Sequence, residues 1–166
     1  MDGEQGPPQP PPQGGPVRKP YALAFATVAF IALEIAGLGI ATLILDEDVV
    51  AASGLGPWPA IASTGLATIV FAAGLALALR AVPPSYWSAA WIALATALAY
   101  VAGAWFGCLF AGADLAVAGS VAGRIATSWF GVVVLAAAAV SAWGGVALTR
   151  TRAHRPRWPW EDDEGE

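Results

Sequence analysis

The chain has 166 residues, of which 57% are hydrophobic and 12% charged, with a formal net charge of −4 and a mean hydropathy of +0.62. A soluble domain of this length carries about 25% charged residues, so half that charge beside more apolar content excludes an ordinary water-soluble globule and points to a surface that meets lipid. A single cysteine, Cys108, excludes an intrachain disulfide and a cysteine-based metal site, and the one histidine, His154, falls in a basic tail, outside the apolar runs.

Residues 1 to 20 hold seven prolines among Gly and Gln, as in Pro7-Pro8-Gln9-Pro10-Pro11-Pro12. Proline removes backbone donors and favours extended chain, so this segment reads as a disordered tether. It does not read as a secretory leader, because the apolar run after Arg18-Lys19 extends from Tyr21 to Leu45, long enough to span rather than to be cleaved. Three further runs follow, at about 59–82, 87–113 and 117–148. Each exceeds the ~20 residues that cross a bilayer core, and a lipid environment forces such runs into helices. Asp46-Glu47-Asp48 with Gly54, Gly56 and Pro57, then Pro83-Pro84, then Gly112 and Asp114 separate them. The expected fold is an all-α membrane protein: a four-transmembrane-helix bundle over residues 21–149, with a cytoplasmic tail at 1–20 and another at 150–166.

Orientation follows from the basic residues. With the first helix starting inside, Arg18, Lys19, Arg80, Arg150, Arg152, Arg155 and Arg157 lie on the inner side and Arg124 alone on the outer. Seven against one is a strong positive-inside bias, which puts both termini in the cytoplasm, and the expected location is the plasma membrane. Aromatic side chains prefer the headgroup level. Tyr21, Tyr86, Trp87, Trp91 and Trp143 form one belt, and Trp58, Trp105, Phe106 and Trp129 the other.

Glu34 is the most informative residue, because it lies thirteen residues after Tyr21 and eleven before Leu45. A carboxyl at that depth is costly and turns toward a bundle interior, a partner or an aqueous path. Thr27, Gly37 and Ala41 share its helical stripe, and their small size allows close helix approach. Burial without a cation favours the neutral acid. Two roles stay open: a fastener between helices, or a proton or cation carrier. Depth matching names candidate partners: Tyr100 on the third run, the first choice, or a hydroxyl of the second run in the neighbourhood of Thr68. Arg124 is placed to snorkel to the outer headgroups, with Asp114 or the Asp46-Glu47-Asp48 loop to pair with it.

Gly103 with Gly107 and Gly119 with Gly123 match the GxxxG spacing that exposes flat backbone for helix contact, with packing inside the bundle as the first reading. In the tail, Arg150 to Arg157 should be drawn to anionic headgroups, while Glu161-Asp162-Asp163-Glu164 should turn away; Trp158 and Trp160 suit an interfacial anchor. There is no Walker-type loop, HExxH, paired-cysteine motif or nucleophile elbow, and no basic face for nucleic acid. The residues therefore assign no catalytic group, no metal ligand and no cofactor. They point to a non-enzymatic integral membrane protein whose partners are the lipid bilayer and a membrane protein or second copy, with a small proton-coupled transporter or channel subunit built on Glu34 as the alternative.

The segment Ile31-Ala32-Leu33-Glu34-Ile35-Ala36-Gly37 resembles the first helix of the small multidrug resistance transporters, which also have four helices and a membrane-embedded glutamate there. That resemblance implies a coupling role for Glu34. In layout, with a Pro-rich start, four Ala-rich helices and a basic-then-acidic tail containing Trp158-Pro159-Trp160-Glu161, the chain looks like the uncharacterised small membrane proteins of high-GC Gram-positive bacteria. That second resemblance implies a location and no activity.

Overall fold

A computed structural model describes residues 17–47, 49, 54–81 and 85–150. The proline-rich start, the Pro83-Pro84 break and the tail with His154, Trp158 and Trp160 lie outside the described residues. Within them the chain is helical: α1 (Lys19–Leu45), α2 (Trp58–Ala78), α3 (Trp87–Phe110), α4 (Leu115–Thr127) and α5 (Trp129–Arg150). α1, α2, α3 and α5 are long and apolar enough to cross a membrane. At 1.5 Å per residue they measure about 31 to 40 Å, against ~30 Å of hydrocarbon.

These four helices close a ring in the order α1, α2, α3, α5, with a thin α1–α2 contact and a broad α2–α3 contact, while α4 lies mainly on α3. Antiparallel neighbours give the bundle two chemically distinct ends. At the basic end Lys19 and Arg80 line one groove, and the Arg150 guanidinium lies over the Tyr86 ring, 4.6 Å from its centre. At the acidic end Glu47, after α1, meets Arg124 of α4, and Trp58 meets Phe110. Exposed aromatic residues gather at both ends, Tyr21, Trp87, Trp91 and Trp143 at one and Trp58, Phe106 and Trp129 at the other.

The broad α2–α3 contact has a local cause. A Cβ on Gly103 would sit 2.5 Å from the Ala62 carbonyl oxygen, and one on Gly107 would sit 2.5 Å from Pro59 Cα. The glycine pair thus lets two helix backbones touch, as GxxxG spacing allows. Gly119 and Gly123, with identical spacing, have nothing within 4 Å of a Cβ. Packing inside the bundle is therefore true of the first pair and not of the second.

The expected fourth helix, 117–148, is corrected to two helices separated at Ser128, whose backbone is extended at φ −103° and ψ 173°. Hydroxyls next to the break take up helix carbonyls, Thr127 Oγ1 donating to Gly123 O at 2.9 Å and Ser128 Oγ to Ile125 O at 3.2 Å, a local competition that weakens a helix ladder. The chain then folds so tightly that a Cβ on Gly131 would lie 2.7 Å from the Ile125 carbonyl oxygen. The 13-residue α4 is only about 20 Å long, too short to cross the hydrocarbon by itself. It buries Ala118, Val121, Ala122 and Ile125 and exposes the opposite face.

Helix limits also shift elsewhere. α3 stops at Phe110 rather than Ala113 because Gly112, at φ 88°, forms a left-handed cap: Ala113 N donates to Cys108 O and Gly112 N to Leu109 O, each at 3.0 Å, the Schellman pattern. α2 ends at Ala78 rather than residue 82, since Arg80 N already donates to Leu77 O, a tightened last turn. α1 begins two residues early, at Lys19, with Pro20 in its first turn, where a missing N–H costs nothing.

Candidate functional site

The one buried ionisable acid among the described residues lies inside the ring. α1 buries Ala22, Ala26, Phe30, Glu34 and Ala41, a stripe at mostly four-residue steps that a helix presents on one side. Glu34 occupies the fourth position of this stripe and is 0% exposed. One turn away, Phe30 stacks on Phe71 of α2 with ring centres 4.6 Å apart and planes 12° from parallel. The same face is brought close to α5 at Gly37, where a Cβ would lie 2.6 Å from Val133 Cγ1.

The carboxyl has one donor. Thr64 Oγ1 of α2 donates to Glu34 Oε1 at 2.9 Å, while Glu34 Oε2 is buried without a hydrogen-bond partner. Two more buried hydroxyls, Thr96 Oγ1 on α3 and Ser141 Oγ on α5, also have none. Thr96 lies nine residues after Trp87 and Ser141 nine before Arg150, so each sits well inside its own helix. Ser63, beside Thr64, satisfies itself by donating to Pro59 O. A buried, half-satisfied polar set of this kind is costly unless it has a structural or chemical use.

The residues expected around Glu34 fall as follows. Tyr100 of α3 is buried, but the hydroxyl bonded to the carboxyl is that of Thr64. Thr68, one turn farther along α2, is half-buried and is not that donor. A hydroxyl of α2 in that neighbourhood is the donor, one turn from Thr68, an offset that arises because the depth count took the two helices as level. Glu34 lies eleven residues before the end of α1 and Thr64 six after the start of α2, so α1 overshoots α2 by five residues, about 7.5 Å. Thr27 donates back to Leu23 O within its own helix. The cue that would have found Thr64 is the Ser63-Thr64 hydroxyl pair on the second run, and Thr96 and Ser141 are hydroxyls at spanning depth.

At the acidic end Asp114 and Arg124 have separate tasks. Asp114 Oδ1 accepts from Val117 N at 2.8 Å and caps α4, the use an N-terminal Asp commonly finds. Arg124 NH2 lies 3.8 Å from Glu47 Oε2, both side chains solvent-accessible at 38% and 58%, a geometry of small energetic weight. Of the two partners expected for Arg124, the acidic loop supplies this one.

Two open grooves flank the bundle. One of about 300 Å³ runs between the end of α1 and the α4–α5 corner, lined by Leu45, Glu47 and Trp129 among others. The other, about 390 Å³, separates α1 from α2 at the basic end. Neither is lined by Glu34. Cys108 is fully buried on α3, and no group of three or more His, Cys, Asp or Glu that could hold a metal occurs among the described residues.

No curated protein and no solved structure matches the chain. The match over residues 18–166 is to the model of a family of unknown function, DUF6121, and the chain belongs to that family.

Proposed function

We propose that the chain is a non-enzymatic integral membrane protein of the plasma membrane, with four spans and both termini in the cytoplasm, acting by association with the bilayer and with a membrane-protein partner or second copy. The observation that carries this reading is the state of Glu34: fully buried, bonded to Thr64, and outside both grooves. A carrier carboxyl needs a wet route to at least one side. An acid held between two helices acts instead as a fastener. The four apolar helices and the basic residues at one end support insertion with that end inside.

One observation favours a second reading, a small proton-coupled transporter or channel subunit. Glu34 Oε2, Thr96 Oγ1 and Ser141 Oγ are all buried and unpartnered, and such groups suit a path that opens in another conformation. Proteoliposomes separate the two readings. Wild type and Glu34→Gln are both expected to leave an imposed proton gradient and a lipophilic drug-cation gradient as intact as empty liposomes do. Flux in wild type that disappears in Glu34→Gln would establish the second reading, because an amide cannot titrate.

A further inference from the structure

The thin contact between α1 and α2 leaves a groove with a definite chemical character. The two helices are pinned at mid-length, where Glu34 meets Thr64 and Phe30 stacks on Phe71. The antiparallel register of those pairs, carried toward the basic end, sets Leu23 opposite Ala76 and Lys19 opposite Arg80. Those four residues, with Pro20 and Leu79, line the 390 Å³ groove. Its volume falls within the range of small-molecule sites, roughly 300 to 1,000 Å³. Its walls are apolar and its mouth carries two cations from different helices.

Nothing else among the described residues uses those cations. Lys19 and Arg80 are exposed, and the ion pair that forms among the described residues is at the other end, between Arg124 and Glu47. Lys19 also opens α1, which has no side-chain cap, so the positive end of the helix dipole adds to the same site. Arg150, at the same end, is engaged with the Tyr86 ring. An apolar slot beneath a pair of free cations at a membrane surface matches one kind of molecule.

We infer that the α1–α2 groove at the basic end binds one anionic glycerophospholipid, with the phosphate between Lys19 and Arg80 and an acyl chain along Leu23, Ala76 and Leu79. Basic pockets between helices on the cytoplasmic side hold anionic headgroups in this way. The inference names a partner for the membrane association proposed above and rests on that insertion. It fills the opening at the basic end of two helices pinned near their middles.

The test is native mass spectrometry of the full chain released from mixed micelles containing phosphatidylglycerol and phosphatidylcholine in equal amounts. One phosphatidylglycerol per chain should be retained and phosphatidylcholine stripped. Lys19→Gln and Arg80→Gln should each weaken retention about fivefold, the equivalent of ~1 kcal/mol per charge, and the double variant about 25-fold. Arg150→Gln should leave retention unchanged, and Ala76→Trp, which fills the slot with both charges kept, should abolish it. Equal retention of the two lipids, an equal loss in Arg150→Gln, or full displacement by millimolar inorganic phosphate would overturn the assignment. So would lipid binding that appears only after Glu161→Gln, Asp162→Asn, Asp163→Asn and Glu164→Gln are combined, which would give the groove to the acidic tail. Failure of the chain to insert into liposomes at all is a different result, and it would refute the membrane reading itself.

Discussion

Alanine at Gly103 or Gly107 should destabilise the bundle, while alanine at Gly119 or Gly123 should not, although both pairs share one spacing. A Cβ at position 103 would lie 2.5 Å from Ala62 O, 2.6 Å from Ser63 Cα and 2.9 Å from Ala62 C. Ordinary contact begins at 3.4 Å, so α2 must retreat by the difference, 3.4 − 2.5, or about 0.9 Å. These neighbours are backbone atoms of a helix and cannot rotate aside. A gap of 0.5 to 1 Å forfeits roughly a quarter to a half of each dispersion contact along the interface, and overpacking of this kind costs about 1 to 3 kcal/mol. Gly119→Ala and Gly123→Ala meet open space and should gain about 0.5 to 1 kcal/mol from helix propensity. Equilibrium unfolding in mixed micelles, followed by far-UV circular dichroism, reads both. Equal stability of Gly103→Ala and wild type, or a loss in Gly119→Ala as large as that in Gly103→Ala, would refute the close α2–α3 approach.

Three further outcomes follow from single contacts. In the same unfolding assay Glu34→Gln should be tolerated, because an amide keeps donor and acceptor, whereas Glu34→Leu and Thr64→Val should each lose about 0.6 kcal/mol with a coupling of similar size in the double variant; a coupling of zero would contradict the 2.9 Å bond. Asp114→Ala should cost about 1 kcal/mol by removing the cap on Val117 N, with Asp114→Asn close to wild type; equal effects of Ala and Asn would show that the cap contributes nothing. Gly131→Ala should cost about 1 to 3 kcal/mol, since its Cβ would meet the Ile125 carbonyl at 2.7 Å, and unchanged unfolding would argue for a straight helix through Ser128.

Hydropathy alone marked four apolar runs long enough to span, three of them close to α1, α2 and α3, because run length and charge depletion are properties a bilayer imposes on sequence. The corner at Ser128 was not legible, since the stretch 117–148 is apolar throughout and its break depends on two hydroxyls and a backbone approach at Gly131. The inward face of Glu34 was legible from the cost of exposing it, but its donor was not. Matching depths assumes level helices, and the five-residue overshoot of α1 moved the contact from Thr68 to Thr64. For the same reason a spacing motif cannot say which glycine pair meets another helix. That depends on the partner surface, and only Gly103 and Gly107 have one.

The central claim, four spans with both ends in the cytoplasm, is tested most directly by cysteine accessibility in intact cells, where the native Cys108 is fully buried and gives little background. Asp48→Cys, beyond the acidic end of α1, should react with an impermeant maleimide without permeabilisation. Arg152→Cys, beyond the basic end of α5, should react only after the membrane is opened. Labelling of Arg152→Cys in intact cells, with Asp48→Cys protected, would contradict the orientation and with it the reading of the basic end as cytoplasmic.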